Sequence, residues 1–303
     1  MSPALPKNIK IKNTRKSGVK IIRRIEEMVG VSKEYRKKNK TIGFVPTMGA
    51  LHQGHLSLIR QARKDNDIVV VSIFVNPTQF GHKEDLKKYP RNLKKDARLC
   101  KQEGAEIIFY PDASQMYPAN HRTYVTVEKL SDCLCGKSRP GHFKGVVTVV
   151  AKFFNIVNPD VAYFGQKDAQ QAIIIKRAVA DLNIPVEIKV MPIVRERDGL
   201  ALSSRNVYLN KKERKDAVVL SQSLDMAKHL IKRKILDPRK IIKKMNELIR
   251  RKKTAKIDYI SIVDLKNLEP IKRIREGCLI TLAVRVGRTR LIDNIILKFK
   301  VKS

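Results

Sequence analysis

Tryptophan is absent from this chain, and aromatic residues of all kinds make up only 6% of it. Reading single-stranded bases by stacking needs aromatic platforms, so that mode of recognition is poorly supplied. No apolar run reaches the ~18 residues that suggest a membrane-spanning helix. The N-terminus is basic but lacks an apolar core, which argues against a secretory signal. Cysteines number four, Cys100, Cys133, Cys135 and Cys278, at irregular spacing. That is too little sulfur for a disulfide framework, and a reduced, cytoplasmic compartment fits best. Cys133, Cys135 and His142 come nearest to a metal set, but no fourth ligand is spaced for it. Acidic residues are scarce as well: 29 against 64 lysines and arginines, a formal net charge of +35.

Such a charge attracts polyanions in general. The basic residues are nevertheless spread along the chain, densest from Lys211 to Lys256, beside leucines and isoleucines of amphipathic helices. The expectation is a solvated basic surface with no specific nucleic-acid partner and no membrane span. A length of 303 residues allows two domains.

Patterning divides the chain. Residues 1–20 are basic and aperiodic, a tail. Residues 21–193 alternate apolar strands with helical spacing, the mark of an α/β domain with a parallel, Rossmann-like sheet. Strands are expected at Thr41–Val45, Ile68–Val75, Glu106–Tyr110, Tyr124–Val127, Val161–Phe164 and Val186–Met191. Helices are expected at Glu84–Gln102, Phe143–Val157 and Asp168–Leu182. Residues 194–303 change character: charged helices near Lys211–Lys234 and Pro238–Lys252, then strands at Asp258–Val263, Leu279–Val286 and Arg290–Leu297. These fit a smaller α+β domain.

Three polar clusters fall where strands end, which is where open parallel sheets collect ligands. In Met48-Gly49-Ala50-Leu51-His52-Gln53-Gly54-His55, two histidines sit where a strand turns into a helix. A helix N-terminus offers unpaired N–H groups and a positive dipole end to a phosphate. A histidine pair three apart is also a zinc half-site, but no third ligand is evident nearby. Gln79 follows Asn76-Pro77-Thr78; its amide donates and accepts, which suits a small hydroxy acid. After Gly165-Gln166, Lys167 is a mobile cation for phosphates and Asp168 is a helix cap, a ribose partner or a candidate Mg²⁺ ligand. Gln171 lies one turn further on. Ser203-Ser204-Arg205 offers two hydroxyls and a guanidinium to a polyphosphate. Each cluster alone reads equally as a polar loop or a helix cap.

Together they resemble one family. The stretches Met48 to His55, Ser72 to Phe80, Tyr89-Pro90-Arg91, Arg139 to Phe143, Phe164 to Asp168, Leu202 to Asn206 and Gly287 to Asn294 look like those of the pantoate–β-alanine ligases. The likeness covers roughly residues 22–299. It implies a Rossmann-like domain with a smaller C-terminal lid, a homodimer, and ATP with Mg²⁺. Pantoate would attack the α-phosphate of ATP to give pantoyl adenylate and pyrophosphate; β-alanine would then displace AMP. The resemblance assigns the ATP site to Met48, Gly49, Ala50, Leu51, His52, Gln53, Gly54, His55, Gly165, Gln166, Lys167, Asp168, Val194, Leu202, Ser203, Ser204 and Arg205. His55 would donate a proton, with His52, Lys167 and Arg205 as further catalytic groups. Gln79 and Gln171 would hold pantoate, and Gln79 would also lie near β-alanine.

The chemistry suits these residue types. In-line attack at phosphorus needs positioning and positive charge more than a covalent nucleophile. Two other readings stay open: a basic nucleic-acid-binding protein on a nucleotide-binding fold, and a cytidylyltransferase. The two glutamines disfavour both.

Overall fold

A computed structural model describes residues 18–81, 84 and 86–297. The first 17 residues of the expected tail lie outside the described residues. Along the chain run β1 (Lys20–Ile22), α1 (Ile25–Lys37), β2 (Ile42–Thr47), α2 (Gln53–Asp65), β3 (Ile68–Ile73), α3 (Leu93–Gln102), β4 (Ile107–Phe109) and the single turns α4 (Ala113–Met116) and α5 (Cys135–Ser138). Then come α6 (His142–Val157), β5 (Val161–Gly165), α7 (Ala169–Asp181), β6 (Glu187–Met191), α8 (Lys211–Ala217), α9 (Val219–Lys232), α10 (Pro238–Arg250), β7 (Ala255–Asp264), β8 (Cys278–Val286) and β9 (Thr289–Ile296).

The first six strands form one parallel sheet in the order β1-β4-β3-β2-β5-β6. All six residues of β3 are buried, because helices cover both faces of the sheet and leave no side for a polar residue. One face packs Phe44, Val70 and Phe109 against Val146, Val150 and Phe153 of α6. The other packs Val45, Val69 and Val71 against Leu56, Ile59 and Ala62 of α2. The chain leaves β2 toward β3 on one side, while β5 flanks β2 on the other. Loops after β2 and β5 therefore diverge and open a crevice at the carboxyl ends of these strands.

The last three strands make a small antiparallel sheet, β7-β8-β9. Helices α9 and α10 bury Leu224, Ile231, Ile241, Met245 and Ile249 against it. In α10 the lysines and arginines at 239, 240, 243, 244 and 250 stay in solvent. A further apolar cluster ties the two sheets together: Phe143, Val147, Ala169 and Ile174 from the first half meet Val263, Leu268 and Leu279 from the second.

The structure corrects several sequence expectations. Tyr124–Val127 is not a strand; the Val125 N–H donates to Thr148 Oγ1 of α6, so its backbone is satisfied without a neighbouring strand. The helix expected from Glu84 begins only at Leu93, behind Pro90 and an Asn92 cap whose Oδ1 accepts from the Lys95 N–H. The helix expected over Lys211–Lys234 is two, α8 and α9, meeting at Val218. Four elements went unread: β1, only three residues long, α1 behind it, and the single turns α4 and α5.

Candidate active site

The crevice at the ends of β2 and β5 holds a cavity of about 220 Å³, open to solvent. Its histidine wall follows from local sequence. His52 caps α2: its Nδ1 accepts from the Gly54 N–H at 3.1 Å. The His52 N–H in turn donates to Nδ1 of His55 at 3.4 Å. The two rings lie 4.1 Å apart, centroid to centroid. Gly54 is required by this geometry, since a Cβ there would come within 2.9–3.0 Å of the His52 ring.

Burial and the neighbouring Lys167 hold both imidazoles neutral. His52 is lowered to about 4, by desolvation first and Lys167 second. His55 is held well below 6.5 by desolvation, then by His52 and Lys167. A neutral ring carries one proton, and in both rings Nδ1 is an acceptor. The proton therefore sits on Nε2, which leaves each histidine one outward donor.

The loop before the helix is held from behind. Gly49 (φ +80°) and Ala50 (φ +50°) are left-handed. The Ala50 and Leu51 N–H groups donate to the buried Asp96 carboxylate at 3.0 and 2.9 Å. Sequence reading missed Asp96, whose charge in a basic stretch was its only signal.

Facing the histidines, Lys167 sits after β5 with its Nζ 3.8 Å from the Asp168 carboxylate. Val194, Leu202, Ser203, Ser204 and Arg205 close the far side, and Tyr89 Oη lies 3.4 Å from Ser204 Oγ. On the remaining wall the Gln79 amide is pinned at both ends: Oε1 accepts from Asn76 Nδ2 at 3.1 Å, and Nε2 donates to Met48 Sδ at 3.0 Å. The Gln79 carbonyl also meets His142 Nδ1 at 2.8 Å, and Arg139 links His142 to Glu84. Gly145 lets this loop press on α6, because a Cβ there would collide with the Thr78 carbonyl and the Gln79 nitrogen. Gln171 stands beside Gln79's wall, as do Phe74, Val146, Val149, Val150 and Phe153. The spacing of Val146, Val149, Val150 and Phe153 along α6 reads as core, and nothing in the sequence separates this cavity-facing edge from the rest.

Fourteen of the expected site residues thus line one cavity: Met48, His52, Gly54, His55, Gln79, Gly165, Lys167, Asp168, Gln171, Val194, Leu202, Ser203, Ser204 and Arg205. Five do not reach its wall. Gly49 lines a neighbouring hollow instead. Ala50 and Leu51 spend their N–H groups on Asp96. Gln53 accepts from Arg60, and Gln166 turns its amide to Asn294. Cys135 is not set for a metal beside His142: its Sγ lies 3.1 Å from Tyr259 Oη and 3.5 Å from Arg290.

The chain is similar to known proteins over most of its length. The family model described as pantoate-beta-alanine ligase matches residues 20–296. A pantothenate synthetase of Caldicellulosiruptor saccharolyticus is 54% identical over 278 residues, 92% of this chain and 99% of that protein. The crystal structure of pantothenate synthetase from Thermus thermophilus superposes with a TM-score of 0.88 at 40% identity, covering 93% of this chain and all of that one. The pantoate-beta-alanine ligase of Francisella tularensis, solved with beta-gamma ATP and beta-alanine, gives 0.76 at 33% identity, covering 94% of this chain and all of that one.

Proposed function

The chain belongs to the pantoate–β-alanine ligase family, and from that premise we propose how its residues divide the work of joining pantoate to β-alanine. The reaction consumes ATP. A carboxylate oxygen of pantoate attacks the α-phosphorus, and the bond to the bridging oxygen breaks as pyrophosphate leaves. The amine of β-alanine then attacks the adenylate carbonyl, loses a proton, and expels AMP.

The neutral histidine pair carries the assignment of roles. In-line displacement spreads negative charge over the phosphoryl oxygens, and preorganised donors stabilise it. Nε2–H of His55, backed by His52 and the N-terminus of α2, is such a donor. Neutrality makes it a hydrogen-bond donor rather than the proton donor expected from the resemblance. Lys167, Ser203, Ser204 and Arg205 suit the β- and γ-phosphates by their charge and donors. The pinned Gln79 and Gln171, which line the same cavity, suit the hydroxyls and carboxylate of pantoate, and Gln79 would also serve β-alanine. The apolar edge formed by Phe74, Val146, Val149 and Phe153 suits its geminal methyls.

No group of three histidine, cysteine, aspartate or glutamate side chains suited to a metal occurs among the described residues. That fits a Mg²⁺ carried in by ATP, which keeps water and phosphate ligands and needs only one or two carboxylates. Among the described residues, Asp168 is the acidic side chain on the cavity wall. Bound there, the ion would neutralise phosphate charge. A homodimer, a cytoplasmic location supported by four free cysteines, and a division into residues 21–193 and a lid of 194–303 complete the reading.

The test is isotopic. Pantoate labelled with ¹⁸O in its carboxylate, incubated with ATP, Mg²⁺ and β-alanine, should pass one label into AMP, with pyrophosphate as co-product. Label retained wholly in pantothenate and phosphate, with ADP formed, would overturn the adenylate route.

A further inference from the structure

The terminal stretch Gly287 to Asn294 shares the family's pattern, yet none of it is used in the roles above. It forms the turn into β9 and most of that strand, and β9 reaches the lysine loop beside the active site from the opposite half of the chain. Successive strand residues face opposite ways, and here both faces are engaged. Asp293 is 1% exposed and receives both guanidinium nitrogens of Arg195 at 2.6 and 2.9 Å. Asn294 is 2% exposed and grips the lysine loop instead. Its Nδ2 donates to the Gln166 carbonyl and to the Lys167 carbonyl, each at 2.9 Å. Its Oδ1 accepts from Gln166 Nε2 at 3.3 Å.

We propose that Asn294 is a positioning residue for Lys167, clamping the backbone of the lysine loop so that docking of the small sheet sets the cation against the triphosphate. The proposal rests on the role of Lys167 given above. Physically, two amide hydrogens on consecutive carbonyls fix the orientation of both peptide planes, and hence the direction in which the Lys167 side chain leaves. Gln166 locks the amide from the other end, which explains why this residue turns away from the cavity. Lysine is a flexible four-carbon stem, so a rigid root narrows the volume its ammonium sweeps. Because the clamp comes from the second sheet, Lys167 is held in place only while that sheet is docked.

Asn294→Asp keeps the shape and removes both donors. It should slow single-turnover formation of pantoyl adenylate by up to ~10²-fold, the scale for a misplaced catalytic group. Reaction of supplied pantoyl adenylate with β-alanine should change little. In a Lys167→Ala background, Asn294→Asp should add no further loss, because it acts through the lysine. Gln166→Ala, which frees the amide without burying a charge, should show the same pattern more mildly and serves if Asn294→Asp does not fold. Multiplicative losses in the double variant, or equal damage to both half-reactions, would overturn the clamp. A wild-type rate in Lys167→Ala would sink the lysine assignment and the clamp with it. A slow Lys167→Ala beside a wild-type Gln166→Ala and Asn294→Asp would sink the clamp alone.

Discussion

Replacing His55 with alanine tests the site at its centre. Among the described residues the side chain makes one internal hydrogen bond, accepting from the His52 N–H at 3.4 Å. That bond is long, so its loss should cost at most ~0.5–1 kcal/mol of stability, a fall of roughly 1–4 °C in Tm. The catalytic loss should be much larger. Removing one preorganised donor from a charge-developing centre costs ~2.7–4 kcal/mol, or ~10²–10³ in rate. It should appear in kcat far more than in KM for ATP, because the charge develops only in the transition state. Rapid-quench measurement of adenylate formation separates it from aminolysis. The pH dependence carries the sharper edge. With the imidazole held neutral well below 6.5, the adenylation rate attributable to His55 should be flat from pH 8 to 5.5. His55→Gln, which keeps an N–H donor, should recover part of the activity. A rate that rises on acidification with a midpoint near 6.5 would mean that imidazolium is the working form and would refute the reasoning. So would a wild-type rate in His55→Ala.

Lys167→Ala should slow adenylation by ~10²–10³-fold and spare reaction of supplied pantoyl adenylate, since pyrophosphate has then departed; equal loss in both half-reactions would contradict a triphosphate role. Gly145→Ala should push Thr78 and Gln79 off α6, raise KM for pantoate at least about tenfold, and cost ~1–3 kcal/mol by overpacking; unchanged pantoate kinetics would show that the Gln79 loop does not need its seat. Stability should fall on acidification between pH 6.5 and 4. His52 and His142 are each lowered to about 4 and His55 is also depressed, so in that window the unfolded chain binds protons that the native one refuses, and stability rises with pH. Calorimetry at pH 5.5 in buffers of differing ionisation enthalpy should find about three protons taken up on unfolding, one for each such histidine; no uptake would mean that these rings are charged in the native protein.

Much was legible in the sequence. The β-branched run at Ile68–Val75 announced a strand covered on both faces, observed two residues shorter as Ile68–Ile73, because burial on two sides leaves only an apolar choice. The histidine pair, Lys167 and the Ser203-Ser204-Arg205 triplet stood out because cations and donors at strand ends and helix starts are what a phosphate site requires, and all of them line one cavity. Ala50, Leu51 and Gln166, expected from the resemblance at the ATP site, do not line the cavity, for the complementary reason. Their motifs mark a functional segment, but within it some residues face the ligand and others hold the segment in place.

What the sequence determined by itself was local: periodicity, glycine and proline punctuation, helix starts, and the inventory of cations and donors. These depend on neighbours a few residues away. The tertiary structure decided what depends on distant partners. Asp96 holds a loop 46 residues before it. Asn294 reaches back 127 residues to the Lys167 carbonyl. The neutrality of the histidines belongs to the same class, since the desolvation and the facing ammonium that impose it exist only once β2, β5 and their loops have been brought together.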